Sequence, residues 1–450
     1  MTFWFYNIVV IVGSFLFGPF ILLFFLIRGS LDGHFGERLG LLSSKQVPPK
    51  GERLRIWVHA VSVGEVKLAR GIVRVLQERK GDFSLVVSTT TTTGRQTALR
   101  EMPEDSIIIY NPLDLWSCVR RSIQKVSPDL FINLETEIWP NLLWACKKLN
   151  IPAFLINGRI SVRSIDYYRR LRFLMKDVLS AYRLLSMISN SDAERILSMG
   201  AARNKVVVAG NAKYDLLIDE ARPELSDRIR RVYKIERKRP VFIAGSTRGG
   251  EEEIILEVFV KLLEKYPETI LIVAPRHIER CKSIESLIRS CNLKYCLRSS
   301  LDEVTKENSE TSVILVDKIG ELFGLYSLGS VIFCGASLVP LGGQNIVEAA
   351  VWGKPVMYGP SMEDFSEATD LLEGVGAGLR IRDGYELLKT ATWLLENPAE
   401  SHRLGRLARD EIERYIGSAR KHIGDIFRFI DEESWVYVEK RERTDERVGV

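Results

Sequence analysis

The chain has 450 residues, of which 46% are hydrophobic and 27% charged, with a formal net charge of +5. That length allows two or three domains, each able to bury its own core, and the composition excludes a disordered chain. The mild positive charge favours anionic partners and does not call for nucleic acid. Taken in order, the first element is Thr2 to Ile27, which has no charged residue and is about long enough to cross a bilayer. No basic n-region precedes it and no clean cleavage site follows, so a retained anchor over 1–28 is expected in place of a cleaved signal peptide. Gly13, Gly18 and Pro19 allow a bend, which keeps monotopic insertion open beside a span, and a buried core helix is the alternative. Basic residues follow (Arg28, Arg38, Lys45, Lys50, Arg53, Arg55), which puts the bulk of the protein on the cytoplasmic side.

A polar linker, Ser43 to Arg53, leads into alternating units. Leu54 to Ala60 reads as a strand, Glu65 to Arg79 as an amphipathic helix and Phe83 to Ser88 as a second strand. Ser106 to Tyr110, Asp129 to Leu134, Ala153 to Asn157 and Leu184 to Ser189 are further short apolar strands, each followed by helical sequence. Polar and basic stretches around Pro223 and Lys234 to Arg239 bracket a boundary, after which the alternation restarts. Val241 to Ala244, Ile270 to Ala274, Val313 to Val316, Val331 to Cys334 and Pro355 to Tyr358 are its strands. Such alternation predicts doubly wound α/β sheets: two Rossmann-like domains, 29–222 and 223–435, facing across a cleft, then a charged tail over 436–450. Ligands of open parallel sheets sit beyond the carboxyl ends of the strands.

Polar motifs fall at those ends. In HAVSVGEV, Glu65 opens the first helix; the helix dipole lowers its pKa and keeps it ionised, as a general base or simply as a well-placed first-turn glutamate. TTTTTGR offers hydroxyls and Arg95 to a phosphate or sugar, or one N-capping threonine. ETEIWPN brings two carboxylates, Glu135 and Glu137, to a strand end, where they could orient an acceptor or serve as first-turn acids. RSIDYYRRLRFLMK, Arg163 to Lys176, mixes basic and aromatic residues as an interfacial helix does, or as the solvated face of a core helix does. GNAKYD aims Lys213 at the cleft. AGSTRGGEEE places Ser246 and Thr247 after a strand, with an acidic run that suits a helix start. APRHIER supplies Arg276 and His277, which can pair with a phosphate or carboxylate. The stretch Gly335 to Pro360 passes from strand to glycine loop to a helix over Asn345 to Gly353. That passage presents backbone N–H groups to a phosphate, with Glu348 placed to hold ribose hydroxyls; an ordinary βα turn is the alternative.

Other chemistries lose ground. Gly353-Lys354 is followed by Pro355, so there is no P-loop. GVGAG, Gly374 to Gly378, precedes a short strand, and no GxSxG elbow is present. The six cysteines (Cys118, Cys146, Cys281, Cys291, Cys296, Cys334) include no CxxC pair and the five histidines show no HxxxH spacing. A metal site is therefore not expected, and the cysteines read as small core residues of a reduced, cytosolic protein.

HAVSVGE, ETEIWPN, AGSTRGGEEE, APRHIER, GELFGLY and SLVPLGGQNIVEAA, in that order over Phe3 to Phe429, closely resemble the Kdo (3-deoxy-D-manno-octulosonic acid) transferase family. The resemblance implies a GT-B glycosyltransferase anchored to the inner membrane and working at its cytoplasmic face. It would move Kdo from CMP-Kdo to the lipid A precursor (lipid IVA) in lipopolysaccharide assembly, with inversion and without a metal or cofactor. By the same resemblance, Glu65 is the base. Ser246, Thr247, Arg248, Arg276, His277, Gly342, Gly343, Asn345, Glu348 and Lys213 lie on the donor side, with Glu137, Arg159 and Arg95 on the acceptor side. The partners implied are donor, acceptor and membrane lipids, and no nucleic acid. Arg248 and Gln344 stand where the family usually has His: Arg248 keeps a donor and adds a fixed charge, whereas Gln344 cannot titrate. A membrane-associated GT-B enzyme with a UDP-sugar donor is the competing reading, and a non-catalytic scaffold fits poorly with so many polar strand ends.

Overall fold

The structure, a computed structural model, describes residues 1–27, 34–80, 82–302 and 311–429, of which the side chains of 17–19, 21–27 and 80 are not described. Arg28 of the basic flank and the tail over 436–450 lie outside the described residues. The chain forms two units, Met1–Asp215 with Gly417–Val450, and Leu216–Ile416.

In the first unit seven strands, β1 (Arg55–His59), β2 (Ser84–Thr89), β3 (Ile107–Tyr110), β4 (Leu130–Leu134), β5 (Ala153–Gly158), β6 (Tyr182–Met187) and β7 (Val206–Val208), form one sheet. Its order is β3-β2-β1-β4-β5-β6-β7 and every pairing is parallel. Parallel strands are buried on both faces, so they need near-continuous apolar runs. Ile56, Trp57 and Val58 in β1 are such a run, all fully buried. Strand order reverses between β1 and β4, and a doubly wound sheet opens its ligand crevice at that point.

The second unit repeats the plan with β8 (Val241–Thr247), β9 (Ile270–Pro275), β10 (Tyr295–Leu297), β11 (Val313–Leu315), β12 (Val331–Cys334), β13 (Val356–Tyr358) and β14 (Gly378–Arg380). The order is β10-β11-β9-β8-β12-β13-β14, again parallel throughout, with its reversal between β8 and β12. β10 was not among the expected strands. It is a three-residue, half-buried edge strand and carries too little apolar sequence to be read alone.

The unit boundaries differ from the expected domains in three places. The change of unit falls at Asp215, inside the continuous helix Ala212–Glu220, and not at the polar stretch near Pro223. The chain from Gly417, expected in the second domain, returns to the first. There Asp215 accepts hydrogen bonds from the backbone N–H of Gly417 and Ala419, both at 2.8 Å, so a carboxylate caps the helix over 418–429. Fully buried His422 then holds Ser186 Oγ at 2.8 Å and the Gly210 carbonyl at 3.0 Å. Since a carbonyl only accepts, Nε2 carries the proton.

Residues 1–28 are not a separate domain either. Thr2–Ile27 is one helix, and its first two turns dock on the first unit. Tyr6 donates to Asp114 at 2.8 Å, Asn7 and Asn141 exchange side-chain hydrogen bonds, and the Phe3 ring stands edge-on to Trp116 and Trp144. Among the described residues no helix is long and apolar enough to cross a membrane.

Candidate active site

In the first unit the switch point gathers a carboxylate cluster. Glu65 lies in the first turn of the helix Val63–Lys80 that follows β1, and its Oε2 accepts from the Val61 N–H at 2.8 Å. β4, the neighbour of β1, is followed directly by Glu135, a non-glycine residue held in the left-handed region at φ 58. That conformation is costly and characteristic of functional sites. Here it brings Glu135 into an ion pair with Lys213. The Lys213 segment is fixed by Asn157 at the end of β5, itself left-handed, whose Oδ1 accepts from the Ala212 N–H at 2.8 Å. Thr136 donates to the Arg159 carbonyl, which ties the loops after β4 and β5 together.

The electrostatics reverse the expectation for Glu65. Burial, then the charge of Glu135 and next that of Glu137, push its pKa up to about 7, against the opposing Val61 N–H and Lys213. A helix N-terminus acts within one turn; at 8% exposure the lost hydration outweighs it. Glu137 is also raised, chiefly by burial. A carboxylate that titrates near neutrality is matched to proton abstraction far better than one held at 4. Behind it His59, fully buried and hydrogen-bonded to Ser88 Oγ at 2.9 Å, is pushed down to about 4 by burial and so stays neutral. Lys213→Met removes the one cation among these causes and leaves Glu135 unpaired, so Glu65 should hold its proton more tightly. The acid limb of the kcat/KM pH profile is therefore expected to move to higher pH, with Lys213→Arg holding it near the wild-type position.

Arg95 does not join this cluster. Its guanidinium meets Glu37 Oε2 at 2.7 Å and lies over the Tyr110 ring, as Arg38 does. Glu37, 3% exposed, also accepts from the Tyr110 N–H and from Gln46. A buried carboxylate needs such a counter-charge, and Arg95 supplies it to Glu37.

In the second unit the ends of β8 and β12 come together, and two left-handed non-glycine residues, Ser246 (φ 55) and Ala336 (φ 56), mark them. Only glycine fits at 335: a Cβ there would lie 2.7 Å from the Ser246 carbonyl oxygen and from Thr247 Cα. The loop was expected to offer its N–H groups to a phosphate. Instead the Glu251 carboxylate, fully buried, accepts from the N–H of Ala336 (2.7 Å), Ser337 (3.0 Å), Leu338 (3.0 Å) and Arg248 (2.9 Å). Gly342 N–H donates to Ser361 Oγ and Gly343 N–H to the Ala336 carbonyl. Buried Thr247 donates to Glu252, which also takes both terminal nitrogens of Arg280. Thr247, Gly342 and Gly343 thus build the loop from inside. The helix here is shorter than expected, Val347–Ala350, with Asn345 and Glu348 before and within it, 3.5 Å apart. Polar groups remain at the rim: half-buried Asn345, Glu348 and Arg248, and exposed Arg276 and His277, with Arg248 Nη1 against His277 Nε2.

Residues 33–216 match the family model described as 3-deoxy-D-manno-octulosonic-acid transferase (kdotransferase). A 3-deoxy-D-manno-octulosonic acid transferase of Haemophilus influenzae is 34% identical over 86% of this chain and 88% of its own length. The chain belongs to the Kdo transferase family. It is a glycosyltransferase, and Kdo transfer is the reaction its site performs. The Kdo transferase of Bordetella pertussis is 29% identical, over 81% of this chain and 85% of that one. Among solved structures, UDP-GlcNAc 2-epimerase from Neisseria meningitidis bound to UDP-GlcNAc aligns with a TM-score of 0.59 at 14% identity, covering 82% of this chain and 100% of that one. A glycosyltransferase from Rickettsia africae aligns at 0.56 and 14%, covering 85% and 99%. At such identity these two show a shared fold of two parallel-sheet α/β units.

Proposed function

We propose that this Kdo transferase takes Kdo from CMP-Kdo and places it on the lipid A precursor in lipopolysaccharide assembly, at the cytoplasmic face of the inner membrane. The observation that carries the mechanism is Glu65, buried beside Glu135 and Glu137 with a pKa near 7. Glu65 takes the proton of an acceptor hydroxyl. The freed oxygen attacks the anomeric carbon from the face opposite the phosphate, the bond to the phosphate oxygen breaks with its electron pair, and CMP leaves with inversion. In the second unit Arg248, Arg276 and His277 meet the phosphate charge, Ser246 and Asn345 supply hydrogen bonds, and Glu348 holds the ribose hydroxyls. Arg248 and Gln344, in place of the family's usual histidines, make this donor site independent of pH at those positions. Glu137 and Arg159 line the acceptor side, and Lys213 holds Glu135 in place. Membrane attachment follows from the apolar N-terminal helix and the basic segment Arg163 to Lys176.

The test is conversion of lipid IVA by the purified full chain with CMP-Kdo, followed by mass analysis of the lipid. Addition of Kdo mass is expected. Turnover of UDP-sugars with CMP-Kdo left intact would overturn the donor assignment, and Kdo transfer to other hydroxyls but never to lipid IVA would overturn the acceptor.

A further inference from the structure

We propose that the threonine loop after β2 aims the base: Thr91, packed on Gly94, holds the Val61 turn and through it the Glu65 carboxylate. This positioning role rests on Glu65 acting as the base, as proposed above, and adds the residues that orient it.

Val61 is gripped at both of its backbone groups. Its N–H donates to Glu65 Oε2 at 2.8 Å, and Ser62 Oγ lies 3.5 Å from the other carboxylate oxygen. Its carbonyl accepts from the N–H groups of Thr90 and Thr91, both at 3.2 Å, and from the Thr91 hydroxyl at 3.3 Å. That hydroxyl is fully used. It donates its one proton to Val61 and accepts from the Gly94 N–H at 3.0 Å and the Thr93 hydroxyl at 3.4 Å. The bond from Gly94 makes Thr91 the N-cap of the helix Thr92–Glu101, which anchors the clamp on a regular element. Arg38 steadies the loop in turn. Its Nη2 donates to the Thr90 carbonyl at 2.7 Å, while the guanidinium lies 4.1 Å from the centre of the Tyr110 ring. Hydrogen bonds therefore lead from Arg38 through the threonine loop and Val61 to Glu65.

A helix cap alone needs no such contact with the turn after β1. Gly94 has helical backbone, a setting in which alanine is the more stable residue. What glycine permits here is close approach: a Cβ at 94 would lie 2.8 Å from Thr91 Oγ1 and 3.0 Å from the Val61 carbonyl oxygen. A base gains from a rigid frame, because a small displacement from the proton it takes forfeits much of its effect. The charges facing Glu65 are Glu135 and Glu137, which with burial oppose its ionisation, and Lys213, which favours it; the Val61 N–H favours ionisation more strongly than Lys213 does. Loosening the Val61 turn weakens that bond, so the base keeps its proton to higher pH.

The experiment measures kcat, KM for both substrates and the pH profile in full-chain Thr91→Val, Thr91→Ser and Gly94→Ala. Thr91→Val keeps the shape of the side chain and removes the hydroxyl. It is expected to lower kcat about tenfold, with KM for each substrate within about twofold of wild type. The acid limb of kcat/KM should move up by about half a pH unit or more. Thr91→Ser should restore both. Gly94→Ala keeps the hydroxyl but crowds the Val61 carbonyl, and should reproduce the loss and the shift. Asp383→Ala removes the N-cap of the helix Gly384–Glu396, far along the chain from Val61, and should leave the profile at its wild-type position. A rise in acceptor KM with kcat unchanged would make Thr91 a contact to substrate. An acid limb unmoved in both Thr91→Val and Gly94→Ala, or moved equally by Asp383→Ala, would leave the loop a helix cap. Each of these results overturns the positioning role. A wild-type profile without an acid limb would instead overturn the base assignment beneath it.

Discussion

Glu65→Gln is expected to lower kcat by about 10²–10⁴, the range a positioned base contributes, and at pH 8 to make the protein more resistant to heat. The glutamine keeps an oxygen for the Val61 N–H, now met by Oε2 at 2.8 Å, so the turn after β1 is retained while the proton acceptor is lost. The stability gain follows from the direction of the pKa shift. Burial and Glu135 raise the folded-state pKa from 4.5 to about 7. Between those values the folded protein holds a proton that the unfolded chain has released, so stability falls as pH rises through the window. A side chain that cannot ionise escapes this loss, worth up to about 3 kcal/mol above pH 7, whereas at pH 4 the two proteins should melt together. Wild-type kcat/KM should also fall below a pH of about 7 as the base is protonated. Retention of most activity in Glu65→Gln would remove the base assignment. Loss of both activity and heat resistance at pH 8 would make Glu65 a structural carboxylate.

The parts that local sequence determines were legible. Apolar runs such as Ile56 to Val58 or Ile270 to Val273 suit doubly buried parallel strands, and their alternation with helices points to two doubly wound sheets. Glu65 was visible because a turn and an acid directly after a first strand fall at the crevice whatever the rest of the chain does. Long-range pairing was not legible. The acidic run from Glu251 looked like a dipole preference, yet Glu251 and Glu252 are both buried, one holding a loop 85 residues away and the other holding Arg280. Arg95 looked free because its partner Glu37 lies 58 residues earlier. The direction of the Glu65 pKa shift is hidden for the same reason: its helix is local, whereas its burial and the charge of Glu135 come from the rest of the fold. The strained conformations of Glu135, Ser246 and Ala336 leave no trace in residue type, since none is glycine or asparagine. They mark the site only once the backbone is seen.

Glu251→Ala is expected to be the most destabilising single change in the second unit, at about 3–5 kcal/mol, the range for removing one partner of a buried charged network. Four N–H groups, those of Arg248, Ala336, Ser337 and Leu338, converge on this carboxylate. Three belong to the loop after β12, in which Ala336 is held at φ 56, a conformation an alanine does not keep without support. Truncation leaves those donors buried and unpaired and releases the strained residue. Over a unit of this size the loss corresponds to a fall in melting temperature of roughly 10–15 °C, measured by calorimetry on the transition of the second unit. Glu251→Gln should fall between, since its amide keeps one acceptor and turns an –NH₂ towards the remaining donors. Nucleotide affinity separates the two readings of the loop. If the N–H groups exist to bind ligand phosphate, removing the protein's own carboxylate opens that place and CMP binds more tightly. If Glu251 is the permanent occupant that shapes the rim carrying Ser246, Asn345 and Glu348, CMP binds more weakly, and that is the expected result. A melting temperature within a few degrees of wild type together with tighter CMP binding would return the loop to the role of phosphate site.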